Sequence, residues 1–207
     1  MANLSASDDY FRFFGLNQQF NIDLPALDQA YLAIQKEVHP DRHARGSEAE
    51  QRLAMQMATL ANTAYQTLKN PIQRGLYLCQ LHGVDAKLET NTAMPAAFLM
   101  KQMGWREALD EQAEDLPGLE SLMAEVEQSK SNILAEITQA IDGAKNYPRA
   151  AELLRGLLFV DKFAIELDDA IAALILQYTE ILWPYYKSLN QVNHLHRISV
   201  VLLWALI

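Results

Sequence analysis

The residues with the clearest chemical character form one short motif, His39-Pro40-Asp41. Proline stops a helix and stiffens the turn that follows. The histidine and the aspartate would then project from that turn as a hydrogen-bond donor and a carboxylate, which suits polar capture by a partner protein. The residues alone leave a simpler interpretation open, in which Pro40 only ends a helix and Asp41 only forms a local turn.

No other group of residues predicts an active site. His39 and His43 are four residues apart, as metal ligands on a helix can be, but Pro40 interrupts the helix that this would need. His194 and His196 have no acidic residue or cysteine nearby. The sequence also lacks a glycine-rich phosphate loop, an HExxH motif and a GxSxG motif.

Composition and charge narrow the class of protein. Half of the 207 residues are hydrophobic, with only 8 Gly and 7 Pro, which is typical of a globular helical protein. A lone cysteine, Cys79, excludes a disulfide framework and a cysteine-based zinc site within one chain, and it suits a reducing, cytoplasmic setting. The opening MANLSASDDY does not read as a secretory signal. Residues 84–174 carry 17 acids and 8 bases, a net charge of −9, which argues against a nucleic-acid partner.

Apolar residues recur at spacings of three and four almost throughout, which predicts an all-α protein. One helix is expected to begin after Asp23 and to stop near His39, and a second to run from about Glu48 to Lys69. These two would form an antiparallel helical hairpin with the His39-Pro40-Asp41 motif in its loop. A shorter helix is expected at 72–81, and three more, forming a three-helix bundle, at 95–115, 118–141 and 147–174.

The tail, residues 175–207, is rich in large apolar residues and finishes in ISVVLLWALI. A stretch of ten residues is too short for a helix that spans a bilayer, which needs about 20. The tail could pack on the bundle, bind a partner or lie at a membrane surface, and we favour packing.

Several segments together resemble known co-chaperones. Those that resemble a J domain are Asp9 to Leu16, the His39-Pro40-Asp41 motif, Asn62 to Leu68, Asn70-Pro71 and Arg74. Those that resemble the HscB family of J-type co-chaperones are Tyr77-Leu78, Leu81-His82-Gly83, Phe98-Leu99-Met100, Arg106-Glu107, Leu109-Asp110-Glu111 and Phe159-Val160-Asp161-Lys162. The resemblance covers roughly residues 9–174.

The resemblance implies a J domain over residues 1–82, an interdomain joint over 83–94 and a scaffold-binding three-helix bundle over 95–174, followed by the tail at 175–207. It implies a co-chaperone that is not an enzyme and needs no cofactor or metal. The implied partners are the specialised DnaK-class chaperone HscA, whose ATPase it would stimulate, and the scaffold protein of iron–sulfur cluster assembly. The bundle would hold the scaffold and deliver it to the chaperone.

The predicted chaperone-binding residues are those of the hairpin loop and its neighbours: Lys36, His39, Pro40, Asp41 and Arg42. Helical spacing places Phe98, Trp105 and Leu109 toward the core of the bundle. Another face of the same helix would then carry an apolar patch with a charged rim, which suits a protein interface. The predicted scaffold-binding residues are Leu99, Met100, Met103, Arg106, Glu107, Asp110 and Glu111, with Phe159 added by the resemblance.

Three alternatives stay open at this point. The patch helix could be buried on two sides, under the tail for example. The chain could be a J-type co-chaperone for a different client. It could also be a helical structural or membrane-surface protein in which the His39-Pro40-Asp41 motif is incidental.

Overall fold

The computed structural model describes residues 9–39, 46–85 and 94–190, with side chains as far as Trp183. Every regular element in those ranges is helical, which confirms the predicted all-α class. A π-helical turn at Gln139–Gly143 follows the sixth helix. The helices are α1 (Tyr10–Phe13), α2 (Leu24–Val38), α3 (Glu48–Lys69), α4 (Pro71–Leu81), α5 (Ala96–Glu111), α6 (Leu116–Thr138) and α7 (Tyr147–Asn190).

Short side chains determine where the first long helices begin. The Asp23 carboxylate accepts a hydrogen bond from the first turn of α2, as predicted. Ser47 and Glu50 form a reciprocal capping box at the start of α3. Asn70 accepts a hydrogen bond from the first turn of α4 and is followed by Pro71. Each such cap stabilises its helix by about 1 kcal/mol, and all act within three residues.

The contacts between α2 and α3 show an antiparallel hairpin. Asp28 accepts a hydrogen bond from the Tyr65 hydroxyl, and the Tyr31 ring stacks on the Tyr65 ring at 4.1 Å. Further along α2, Tyr31 and Gln35 both donate to the side chain of Asn62. Later residues of α2 therefore contact earlier residues of α3, so the two helices are antiparallel, which confirms the predicted hairpin.

Packing divides the chain into two compact units. The first comprises residues up to 93 together with 131–158, and the second comprises 94–130 together with 159 onward. In the first unit, α1 to α4 share one core with the end of α6 and the start of α7. Its fully buried side chains include Phe11, Leu27, Leu68, Leu78, Ile137, Leu154 and Leu157. The predicted domain boundaries follow chain order and stay a prediction.

A buried arginine joins three segments of the first unit. The Arg74 guanidinium donates from Nε to the Phe20 carbonyl at 2.8 Å and from Nη1 to the Leu68 carbonyl. Burial lowers the pKa of Arg74, and the nearby Asp142 carboxylate opposes that shift. Because all these groups are polar and enclosed, the hydrogen bonds offset the cost of burying the charge.

The second unit is organised around Trp105, which is 3% exposed. Its ring stacks on Phe163 of α7 at 5.6 Å, and its indole N–H donates to Glu125 of α6 at 2.9 Å. One side chain of α5 therefore contacts both other helices of this unit. The buried side chains around it include Leu119, Leu122, Val126, Val160 and Leu167.

Several predicted helix boundaries differ from the structure. The last helix was expected to end at Leu174 and instead continues to Asn190, so that prediction is wrong. Residues 175–183 contain neither Gly nor Pro, so no stop signal follows Leu174, and the helix also includes Pro184. Helix α5 ends at Glu111 rather than at 115. Helix α6 begins two residues before the expected 118, because proline is favoured in a first helical turn.

Candidate partner-binding sites

The first candidate site lies where α2 ends. Helix α2 stops at Val38, and the backbone of His39 is extended with φ −59° and ψ 130°, as expected for a residue that precedes proline. The side chains of His39 and Lys36 are exposed. Pro40, Asp41 and Arg42 lie outside the described residues, so their arrangement stays a prediction.

The second candidate site is an apolar surface on α5 formed by Leu99, Met100 and Met103, here called the α5 patch. These side chains are 47%, 72% and 61% exposed, whereas Trp105 is almost fully buried. Phe98 and Leu109 are half-buried on the inward side. The structure thus confirms which face of this helix is exposed. The face could be predicted because the spacing of residues along an α-helix fixes the angle between their side chains around its axis.

A charged rim borders the α5 patch on its C-terminal side. Its members, Arg106, Glu107, Asp110 and Glu111, are all exposed. Arg106 Nη1 lies 3.4 Å from a carboxylate oxygen of Glu166 on α7. Within the described ranges, none of the three acidic rim residues forms an ion pair. Because the only rim cation already faces a carboxylate, the rim presents a surplus of negative charge.

Phe159 of α7 belongs to the second unit, as the α5 patch does. The two helices run parallel, since Trp105 stacks on Phe163 and, later in both segments, the Tyr178 hydroxyl donates to the Glu114 carbonyl. Phe159 precedes Phe163 by one turn and is therefore level with the turn of α5 that carries Met100 and Met103. Its ring is 39% exposed. Phe159, which helical spacing alone did not connect with α5, is thus an exposed ring at the same level of the second unit as the patch.

Sequence reasoning missed the residues that hold α5 in place. The Lys101 ammonium lies 4.8 Å from the centre of the Trp105 ring and 3.8 Å from Glu125. Trp105 donates to the same carboxylate, so three side chains from two helices form one cluster. A lysine four residues before a tryptophan is a recognisable helical pair, and it was the available signal.

A second ion pair anchors α7 next to Phe159. Lys130 Nζ lies 2.7 Å from the Asp161 carboxylate and 3.7 Å from Glu127. The hydrogen bond to Asp161 is the main cause that raises the pKa of Lys130 above its usual value. Asp161 belongs to the segment that resembled known co-chaperones, and here its role is to join α6 to α7.

A family model matches the stretch that contains α5, α6 and the first half of α7. Residues 94–168 match the HSCB C-terminal oligomerisation domain. The chain is also 45% identical over 169 residues to the co-chaperone protein HscB homolog of Ralstonia nicotianae, which covers 81% of this chain and 96% of that relative.

Solved structures agree with that comparison. The chaperone HscB from Vibrio cholerae aligns with a TM-score of 0.71 and 32% identity, covering 81% of this chain and 99% of that structure. The human co-chaperone protein HscB aligns with a TM-score of 0.75 and 28% identity, covering 80% and 83% of the two chains. Among the described helices, none has the length and hydropathy that crossing a bilayer requires.

Proposed function

The chain belongs to the HscB family of co-chaperones, and we propose that it binds an iron–sulfur cluster scaffold protein, delivers it to the DnaK-class chaperone HscA and stimulates the ATPase of that chaperone. The observation that carries the proposal is the exposed α5 patch, with Phe159 at the same level, a surface that has no role in the core of the second unit. An adaptor needs two separate binding sites, and the two candidate sites belong to different units.

The α5 patch has the properties of a protein interface. Its centre consists of Leu99, Met100 and Met103, and methionine adapts its shape to a partner because its side chain is unbranched. Burying such side chains supplies about 25 cal/mol for each Å² of apolar surface removed from water. The charged rim stays in contact with solvent and contributes orientation more than affinity.

The acidic rim indicates the charge of the scaffold surface that docks there. Glu107, Asp110 and Glu111 lack ion pairs within the described part of the chain, whereas Arg106 already pairs with Glu166. Opposite charges favour encounter and like charges disfavour it. The complementary surface of the scaffold is therefore apolar at its centre, with basic side chains next to the acidic rim.

The loop after α2 would act on the chaperone without performing chemistry itself. His39 and Asp41 would supply a donor and a carboxylate that a polar site on the ATP-bound chaperone captures, and Lys36 would add a favourable charge nearby. A partner that prefers one state of the chaperone shifts the cycle toward it, so ATP hydrolysis can be accelerated from outside the nucleotide site. Hydrolysis would then hold the delivered scaffold in the tight-binding state.

The test is the steady-state rate of ATP hydrolysis by the cognate chaperone, with this protein and the scaffold added separately and together. We expect stimulation by this protein alone and a further, synergistic increase with the scaffold. Asp41→Asn should abolish both effects. A triple variant, Leu99→Ala, Met100→Ala and Met103→Ala, should keep the stimulation by the protein alone and lose the synergy.

Each result separates one part of the proposal from another. Stimulation without synergy would mean that the client is a different protein. Full activity of Asp41→Asn would mean that the loop after α2 does not engage the chaperone. Synergy that survives the triple variant would mean that the scaffold docks elsewhere.

A further inference from the structure

In the second unit, α7 extends past the other two helices. Helix α5 ends at Glu111 and α6 begins at Leu116, and the turn between them contacts α7 where the Tyr178 hydroxyl donates to the Glu114 carbonyl at 3.0 Å. Helix α7 then continues for another 12 residues, 179–190. At 1.5 Å per residue this overhang is about 18 Å long.

The overhang exposes the continuation of the core-facing stripe of α7. Leu167 and Leu174 face the core and are 0% and 5% exposed. Ile181 lies a further seven residues along, which is two turns and therefore the same face, yet it is 63% exposed. Leu182 beside it is 52% exposed. A single exposed apolar side chain is ordinary, but here a buried stripe continues beyond the helices that cover it.

The rest of the sequence contains a segment suited to cover this face. After Asn190, residues 191–197 read QVNHLHR. Residues 198–207 read ISVVLLWALI, and none of these ten side chains is charged. Ile181 lies nine residues before Asn190, a distance of about 14 Å along the helix. Seven linking residues span up to roughly 23 Å when extended, which is enough to turn back and reach it.

We propose that residues 198–207 fold back along the overhang of α7 and cover Ile181 and Leu182, so that this segment forms an intramolecular cap at the end of the second unit. A second copy of the chain is the weaker occupant, because a stable dimer buries about 800 Å² per partner and the overhang offers few apolar side chains. Intramolecular docking needs less contact, since the tail is already tethered at high effective concentration.

Paired cysteines test this proposal in the full chain. Ile181→Cys is combined in turn with Ile198→Cys, Leu202→Cys and Leu206→Cys, and disulfide formation under mild oxidation is followed by non-reducing electrophoresis and mass spectrometry. Leu176→Cys with the same three changes is the matched control, because Leu176 is equally exposed but lies on the opposite face of α7. We expect at least one Ile181→Cys pair to form an intramolecular disulfide about tenfold faster than its Leu176→Cys counterpart.

Two results would overturn the cap. Disulfides that appear only between chains would assign the overhang to a second copy. Equal rates for the two faces, or no disulfide at all, would show that the tail does not lie on Ile181. Hydrogen exchange supplies a second measurement: Leu203→Asp should speed exchange of the amides of 179–190 about tenfold, whereas unaltered exchange would contradict the proposal.

Discussion

The carboxylate of Asp142 accepts a hydrogen bond of 2.6 Å from the backbone N–H of Phe20, which lies 122 residues earlier in the chain. Its other oxygen accepts from the N–H of Asn21 at 2.9 Å. The π-helical turn at the end of α6 presents this carboxylate, and the loop between α1 and α2 receives it. Two backbone N–H groups of this loop, which belong to no helix, thus donate hydrogen bonds to a charged acceptor.

Asp142→Ala should destabilise the first unit by about 2 kcal/mol, because hydrogen bonds to charged groups contribute 1.5–3 kcal/mol and both donors would lose their partner. Asp142→Asn keeps one acceptor oxygen and should cost less. Urea denaturation followed by circular dichroism measures both. Asp168→Ala, on an exposed position of α7, is the control. An Asp142→Ala protein as stable as this control would show that the two hydrogen bonds contribute nothing.

Single alanine substitutions at Leu99, Met100 and Met103 should each weaken scaffold binding, with the largest effect on the order of tenfold or more, because central apolar contacts dominate interface energies. Titration calorimetry with the purified scaffold measures the affinity. Ile165→Ala is the matched control, since Ile165 is 59% exposed on α7 of the same unit. All four variants should keep the wild-type melting temperature, because none of these side chains is buried. Unaltered affinity of all three patch variants would remove the docking assignment.

Trp105→Ala should destabilise the second unit by about 3–5 kcal/mol, because it removes a large buried side chain and leaves a cavity. Trp105→Phe should cost less, since it retains a ring that can stack on Phe163, although it loses the hydrogen bond to Glu125 and some buried volume. Thermal unfolding monitored by circular dichroism ranks the two variants. Both variants lose the hydrogen bond to Glu125, so equal losses of stability would mean that this bond, not the packing, holds α5 in place.

The stability of the first unit should fall in alkaline solution as Cys79 titrates. Burial raises the pKa of the Cys79 thiol from 9.0 to about 11. The thiol is harder to ionise in the folded protein than in the unfolded chain. It therefore stabilises the folded state fully at pH values below the pKa of the unfolded chain, and this stabilisation is lost as the pH rises through the pKa of the folded protein. Between pH 9 and pH 11 the protein should therefore lose on the order of 2 kcal/mol of unfolding free energy through this group.

The matched variant for that measurement is Cys79→Ala. Tyr77 and Tyr147 also have pKa values raised by burial, so the wild type alone would report several groups. The difference in unfolding free energy between wild type and Cys79→Ala isolates the thiol. That difference should shrink between pH 9 and pH 11, and a constant difference would contradict the assignment.

Much of the candidate scaffold site was predictable because it depends on one helix. The angle between successive residues of α5 separates Leu99, Met100 and Met103 from Trp105 whatever the helix packs against. The contacts that hold α5 against its neighbouring helix were not predictable in the same way. The side chain of Glu125 belongs to another helix, and its contacts with Lys101 and Trp105 depend on how α5 and α6 pack.

The helical class, the starts of α2, α3 and α4 and the exposed face of α5 were determined by the sequence itself, because caps and helical periodicity act over three to seven residues. Only the tertiary structure decided that residues 131–158 share a core with the N-terminal helices. A Cβ added at Gly75 would lie 2.6 Å from a methyl group of Leu154. The Cys79 thiol donates a hydrogen bond to the Tyr147 carbonyl. Such contacts join residues more than 60 positions apart, and no local preference specifies them, since they form only when whole helical faces exclude water together.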